Sequence, residues 1–294
     1  VSSSTNGGII FLIGYTKAFE WFAALRQAFK HVLDVIFFIF EFPRNLSSGF
    51  HHFSGDDLMI AVIQAGGKGT RLRPYTLALP KPLMPVGDLP VIEILLKWLR
   101  KWGIKEAWIT IGYLGGLIRS LCGDGFQWDM KIGYSQEPEP LGTIGPLRLL
   151  KSHLNETFLT INGDIISDLS IRDFTQFHRD HGGWVTVAVV EKSMKVDLGV
   201  LESQNGRMIG FKEKPAMKYT ASMGIYCMEP EILQLIPDNV PFGFDDLMYA
   251  MLEQNKPVYL YRHQGLWLDI GREEDFRHAQ EFFLKDYKSL VLGC

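Results

Sequence analysis

The sequence predicts an α/β fold with a mixed, mostly parallel central sheet, and three observations lead there. From Leu58 onward, short apolar runs alternate with helical stretches, which is how a parallel sheet with covering helices is written. Leu58-Met-Ile-Ala-Val-Ile63 and Trp184 to Val190 are apolar without alternation, as strands buried on both faces must be. The first run then breaks into Gly66, Gly67 and Gly69, which bring bare backbone N–H groups close to something.

The elements follow in order. Val91 to Trp102 is a helix with Ile92, Leu95, Leu96 and Leu99 on one face. Ala107 to Ile111 is the next strand, Leu114 to Leu121 a helix, and Lys131 to Tyr134 a short strand. Thr143 to Ser152 is expected as a helix, and Thr157 to Ile161 as a strand ending at Asn162-Gly-Asp164. Ile171 to Arg179 reads as a helix, followed by the strand from Trp184. Leu198 to Glu202 and Arg207 to Phe211 read as a hairpin joined by Ser203-Gln-Asn-Gly206. Ala221 to Met228 is a strand, Phe244 to Glu253 a helix, Val258 to Tyr261 a strand, and Glu273 to Leu284 the closing helix. His178 and His181 sit three apart at a helix end without a third ligand, and read as surface residues.

Residues 1–57 stand apart as a leader, ahead of a domain at 58–285 and a tail at 286–294. Val1 to Gly8 is rich in Ser and Gly, a composition expected to stay disordered. From Thr16 to Phe42, Phe22, Leu25, Phe29, Val32, Ile36 and Phe40 keep a helical spacing. Charges at Lys17, Glu20, Arg26, Lys30 and Asp34 interrupt any run of the ~20 apolar residues that a bilayer crossing requires. The segment reads as an amphipathic helix: packed on its own domain, a non-native leader, or a contact to a membrane surface or partner. Pro43 to Asp57 reads as linker, and the start at Val1 suits a fragment, an alternative start or translated upstream sequence.

Composition excludes several classes. The 294 residues are 47% hydrophobic, enough for one large core. A net charge of −3 leaves no electrostatic footprint for nucleic acid. Cys122, Cys227 and Cys294 are odd in number and far apart, which points to reduced thiols in a cytoplasmic protein with neither a disulfide framework nor a zinc site.

The informative segment is Gln64-Ala-Gly-Gly-Lys-Gly-Thr-Arg-Leu-Arg-Pro-Tyr-Thr76, closed by Leu79-Pro-Lys-Pro-Leu-Met-Pro-Val86. It lacks the G-x-x-x-x-G-K-[ST] spacing of a Walker loop. Gly67-Lys-Gly69 begins a dinucleotide fingerprint, but Leu72 stands where its third glycine belongs. Arg71 and Lys81 add fixed positive charge beside the glycines, so a nucleoside triphosphate is the expected guest. Asp164 follows a strand end, where open α/β sheets place their ligand crevice.

The two-part segment resembles the signature of the sugar-1-phosphate nucleotidylyltransferases, G-G-x-G-T-R-L-x-P-x-T followed by P-K-P-L. The resemblance extends from Leu58 to about Phe283 through at least five motifs in the family's order. It implies a Rossmann-like three-layer α/β/α nucleotidyltransferase fold, and an enzyme that turns an NTP and a sugar 1-phosphate into an NDP-sugar and pyrophosphate for polysaccharide biosynthesis. Arg71, Lys81 and Asp164 match the family's catalytic positions. Ala65, Gly66, Gly67, Lys68, Gly69 and Thr70 match its nucleotide loop, and Gln136-Glu-Pro-Glu-Pro-Leu-Gly-Thr143 its base loop, which adds Gln136, Glu137, Gly142 and Thr143. Glu213-Lys-Pro215 resembles the motif in which Glu213 takes sugar hydroxyls and Lys214 the sugar phosphate. Ser222 and Gly224 stand in the following sugar motif, with Ser222 where relatives carry Asn.

Asp164 and Asp269, the latter in Gly265-Leu-Trp-Leu-Asp-Ile-Gly271, match the two aspartates that hold Mg²⁺. Gln64 and Ile144 depart from the usual Leu and Ala. The resemblance also implies a homo-oligomer. Among the family's branches, G-T-R-L-R-P with W-L-D-I-G is most similar to the mannose-1-phosphate guanylyltransferases, so GTP and mannose 1-phosphate are the expected pair. Thymidylyl-, uridylyl- and cytidylyltransferases on glucose 1-phosphate are the alternatives. A catalytically silent, NDP-sugar-binding regulatory subunit is the reading from another class, and the presence of Asp164, Asp269, Arg71, Lys81 and Lys214 weighs against it.

Overall fold

The protein is represented by a computed structural model that describes residues 59–292, with side chains as far as Phe283. The expected leader helix, its Ser/Gly-rich start, the linker, Leu58 and Cys294 lie outside the described residues.

The chain begins with β1 (Ile60–Ala65), the short ladder β2 (Pro85–Val86) and β3 (Leu89–Pro90), α1 (Val91–Lys101), β4 (Glu106–Ile111) and α2 (Gly115–Cys122). Next come β5 (Lys131–Gln136), β6 (Phe158–Asn162), β7 (Ile165–Ser167), α3 (Ile171–His181) and β8 (Val185–Lys195). The hairpin β9 (Val200–Gln204) and β10 (Arg207–Lys212) leads into β11 (Ala216–Met228), α4 (Phe244–Glu253), β12 (Val258–Arg262), β13 (Trp267–Asp269) and α5 (Glu273–Leu292).

Seven strands form the central sheet in the order β12-β8-β11-β6-β1-β4-β5. Only β11 runs against its neighbours, so the mixed, mostly parallel sheet is as expected. β1 alternates sides: Ala61, Ile63 and Ala65 enter one core with α1, α2 and α3, while Val62 enters another. The second core holds Ile144, Leu147 and Leu150 with Leu247 and Met251 of α4. Both faces of the strand are thus covered, which is why it reads as an unbroken apolar run. A third cluster joins Val91 and Ile94 of α1 to Leu268 and Ile270 near β13 and to Ala279 and Phe283 of α5. Among the described residues no helix is long and apolar enough to cross a membrane.

Three expectations change. The helix expected over Thr143–Ser152 is a 3-10 run at Gly145–Leu150. Gly145 and Pro146 are poor helix formers, and a stretch this short closes i→i+3 bonds more readily than α-turns. The closing helix runs to Leu292, well past Leu284, and so takes in most of the segment read as a tail. His178 is a core residue, 1% exposed, and not a surface one. Its Nδ1 lies 2.7 Å from the Thr186 hydroxyl and its Nε2 3.0 Å from Glu229 Oε1, which also accepts from the Thr157 hydroxyl at 2.8 Å. Burial disfavours the imidazolium, so Nε2–H donates to the carboxylate and Nδ1 accepts from Thr186. His181 remains exposed.

Burial pulls the His178 pKa below the ordinary 6.5, with Glu229 opposing and Arg179 adding to the pull. An unfolded chain therefore takes up this proton first as pH falls, and the stability contributed above about pH 6.5 is lost below it. Urea midpoints measured at pH 7.5 and 5.5 should fall more steeply for the wild type than for His178→Gln. Equal slopes would remove His178 as a source of acid sensitivity.

Candidate active site

The site forms where the sheet changes direction of growth. From β1 the chain adds β4 and β5 on one side, then returns to place β6 on the other. Such a switch opens a crevice beyond the carboxyl ends of the two central strands. Here the crevice lies after Ala65 and Asn162. The Gly163 N–H donates to the Gln64 carbonyl at 2.9 Å, tying the two ends together. A Cβ on Gly163 would lie 2.8 Å from that carbonyl and 3.0 Å from Pro82 Cγ, so only glycine fits. Asp164 is thereby set against the Pro80-Lys81-Pro82 turn.

Lys81 is the centre of the site. Its ammonium contacts Asp164 Oδ2 and lies 3.8 Å from Asp269 Oδ1. β13 delivers Asp269 by pairing antiparallel to β7, with Asp269 opposite Ile165, and the Ile270 N–H donates to the Asp164 carbonyl at 3.0 Å. Burial pulls the Lys81 pKa below the ordinary lysine value, Asp269 and Asp275 oppose this, and nearby Arg71 adds to the pull. The contacting Asp164 carboxylate also favours the charged form.

The glycine loop from Gly66 to Thr70 leaves the same end of β1. Gly69 adopts the left-handed conformation at φ 59°, and its carbonyl accepts from the Thr76 hydroxyl at 2.9 Å. A Cβ there would press Thr76 Cγ2 at 2.9 Å, so Thr76 and Gly69 fix each other. Gly66 lies under the Glu137 carboxyl, which occupies the place a side chain would need. Gly112, after β4, would bring a Cβ to 2.7 Å from the Gly66 carbonyl. Space beside Gly67 is open, and Lys68, Thr70 and Arg71 are exposed.

Glu137 Oε2 accepts from the Leu141 N–H at 3.0 Å, and burial pushes its pKa up against that bond. Gln136 is exposed at the end of β5. Gly142, at φ 82°, packs on the backbone of Phe242, and the Thr143 hydroxyl accepts from the Phe244 N–H at 2.9 Å. The loop over 136–143 is thus tied to the start of α4.

Glu213 and Lys214 are exposed between β10 and β11, and Lys214 has a positive φ of 42°. Glu213 Oε2 lies 3.3 Å from where Gly199 would carry a Cβ. Ser222 closes its own turn: its hydroxyl accepts from the Gly224 N–H at 3.2 Å and donates to Tyr226 at 3.3 Å. Gly224, at φ 73°, would bring a Cβ to 2.6 Å from Asn162 Nδ2. Trp267 Nε1 donates to the Met223 carbonyl at 2.8 Å, and Lys192 lies over the Trp267 ring at 4.6 Å.

The structure therefore brings Lys81, Asp164 and Asp269 together, places Arg71 near them, and sets Glu137 over Gly66. Among the described residues, no hydrogen bond or ion pair joins Glu213 or Lys214 to that cluster. Thr76 and Asn162 stand in the sequence motifs without a role of their own, and Gly112, Gly199 and Lys192 carry no signal in the sequence.

Among the described residues, no three His, Cys, Asp or Glu side chains gather as a metal cluster. Asp164 and Asp269 nevertheless converge on a single cation, the Lys81 ammonium. Two carboxylates completed by water and phosphate oxygens suit Mg²⁺, so the donor set fits that ion.

A model of the nucleotidyl transferase family matches residues 60–286. The mannose-1-phosphate guanylyltransferase catalytic subunit beta of Dictyostelium discoideum is 34% identical over 239 residues, which cover 79% of this chain and 66% of that protein. A UTP–glucose-1-phosphate uridylyltransferase of Synechocystis is 32% identical, over 75% of this chain and 62% of its own. The chain thus spans slightly under two thirds of the length of these relatives. Among solved structures, HddC from Yersinia pseudotuberculosis superposes with a TM-score of 0.62 at 23% identity, over 76% of this chain and 99% of that one, a likeness of fold.

Gln64, beside the loop, has both amide atoms buried with no hydrogen-bond partner among the described residues, as have the Thr110 and Thr160 hydroxyls. Two stranded polar atoms of this kind cost about 1–3 kcal/mol. Gln64→Leu should raise the unfolding free energy by an amount in that range, read from a urea titration. A less stable variant would mean that the amide is satisfied in solution.

Proposed function

The chain belongs to the nucleotidyl transferase family, and we propose that it transfers the nucleotidyl group of an NTP to a sugar 1-phosphate, releasing pyrophosphate. The observation that carries this reading is the convergence of Lys81, Asp164 and Asp269 at the carboxyl ends of β1 and β6, beneath a loop rich in glycine. Transfer to phosphorus needs alignment and charge neutralisation more than a nucleophilic side chain. The backbone N–H groups of Gly66 to Thr70 cradle the triphosphate. Arg71 and Lys81 balance its charge and that of the departing pyrophosphate. Lys214 orients the attacking sugar phosphate, Glu213 takes sugar hydroxyls, and Gly224 lets the ring approach the backbone. Asp164 and Asp269 would hold Mg²⁺, which supplies further positive charge to the phosphates when bound.

The preferred pair is GTP and mannose 1-phosphate, giving GDP-mannose. Relatives named for that reaction support it. So does Glu137, because guanine offers N1–H and N2–H donors that a carboxylate accepts, whereas uracil and thymine offer a single N–H between two acceptors. Glucose 1-phosphate with UTP is the second reading, favoured by the Synechocystis relative.

Pyrophosphate release should be highest for GTP with mannose 1-phosphate when GTP, dTTP, UTP and CTP are crossed with mannose and glucose 1-phosphates in Mg²⁺. Turnover with another pair would replace the substrate assignment, and silence from folded protein that binds an NDP-sugar would replace the enzyme. Asp164→Asn should lower kcat by roughly 100-fold or more with the fold intact. Unaltered kcat would take this carboxylate out of the reaction.

A further inference from the structure

β13 carries Asp269 to the crevice on a ladder of only three residue pairs, Trp267 with Ser167, Leu268 with Ile166 and Asp269 with Ile165. A two-stranded pairing this short is marginal by itself. A slip of one residue would turn Asp269 to the opposite face, away from Lys81. Bonds outside the ladder must therefore hold its register. At the crevice end the Ile270 N–H supplies one, donating to the Asp164 carbonyl at 3.0 Å.

The other end is closed by His263 and Asp168. β12 ends at Arg262, and the His263 N–H continues its pairing by donating to the Val189 carbonyl at 2.8 Å. The His263 ring is largely buried, with Nε2 2.8 Å from Asp168 Oδ1 and 3.3 Å from the Leu266 carbonyl. Both neighbours are acceptors, so Nε2 bears the hydrogen and the ring ties the end of β12 to the turn before β13. The Leu266 carbonyl also accepts from the Ser167 hydroxyl at 2.9 Å and the Asp168 N–H at 3.3 Å. Ser167 Oγ in turn accepts from the Leu169 N–H at 3.1 Å. A Cβ on Gly265 would fall on the Asp168 carboxylate and lie 2.8 Å from His263 Cε1, so the turn closes only over a glycine.

We propose that His263 and Asp168 are positioning residues: the hydrogen bond between them sets the register of β13 and so places Asp269 against Lys81 and Asp164. Among the described residues, no hydrogen bond or ion pair joins the side chain of either one to that cluster, so they act through the ladder. Their effect on turnover rests on the transferase reading given above, whereas their hold on β13 does not.

Hydrogen exchange of the full chain, read by mass spectrometry over 264–271, should speed up by about 10-fold or more in His263→Leu and Asp168→Ala, with β1 and β4 unchanged. His263→Gln keeps an N–H donor and Asp168→Asn keeps an acceptor oxygen, so each should restore most of the protection. The double variant His263→Leu/Asp168→Ala should exchange no faster than either single one, since all three lack the same bond. In pyrophosphate release, the Leu and Ala variants should lose roughly 10-fold in kcat, because small misplacements are costly to an aligned reaction. They should also need several-fold more Mg²⁺ for half-maximal rate, while KM for the sugar phosphate changes less. Should His263→Leu fail to fold, Asp168→Ala, at a partly exposed side chain, carries the test. Exchange over 264–271 no faster than in the wild type would overturn the proposal. So would faster exchange with kcat and Mg²⁺ dependence unaltered, which would make the clamp structural only. A wild type that turns over no substrate would remove the transferase reading and leave exchange alone to decide the clamp.

Discussion

A largely buried ammonium held between two carboxylates organises the crevice of this domain. Asp164 and Asp269 would repel each other if left alone in a partly desolvated crevice, and Lys81 neutralises that repulsion. The arrangement works because each charge is carried by a stiff support. Pro80 and Pro82 flank the lysine, the first aspartate sits in the two-residue link between β6 and β7, and the β7–β13 ladder fixes the second. Removing the lysine would leave two facing carboxylates without compensation, whereas removing either aspartate leaves the ammonium facing the other. The same arrangement keeps positive charge at the carboxyl ends of β1 and β6.

Close backbone approach is the second theme, and it explains most of the glycines near the crevice. Gly163 lets β6 end against β1, Gly112 lets the chain after β4 pass the Gly66 carbonyl, and Gly142 lets the loop over 136–143 lie on Phe242. Only Gly69, Gly142 and Gly224 of those discussed also need a positive φ. The crevice is therefore lined with backbone, which presents N–H and C=O groups at fixed positions and loses little entropy when a ligand binds.

Much of this was legible beforehand. The parallel strands announce themselves because burial on both faces removes alternation, and the glycine loop because no other residue type could supply it. Lys81, Asp164 and Asp269 were singled out by motif, and the structure gathers them at one point. What escaped detection is non-local. His178 reads as surface in a polar helix end, yet Thr186 and Glu229, distant in sequence, satisfy it inside. β7 and β13 are three residues each, too short for any periodicity, and exist only as each other's partner. The 3-10 run after Ile144 has the apolar spacing of a helix but lacks its length. Gly112 and Gly199 are glycines because of neighbours that no local pattern reveals.

The order in which the site's parts occur along the chain has a consequence for biosynthesis. Lys81 and Asp164 are 83 residues apart, and Asp269 arrives on the last strand, after α4 and β12. On the ribosome, Lys81 and Asp164 can meet while the final quarter of the domain is still unmade. β7 then waits without a ladder partner until β13 emerges. A nascent chain paused in that interval holds most of the sheet and half of the charge cluster, with the β7 edge open to any passing strand. The segment that carries β13 thus brings in the second carboxylate and pairs β7 in the same event, which ties assembly of the full charge cluster to the emergence of β13.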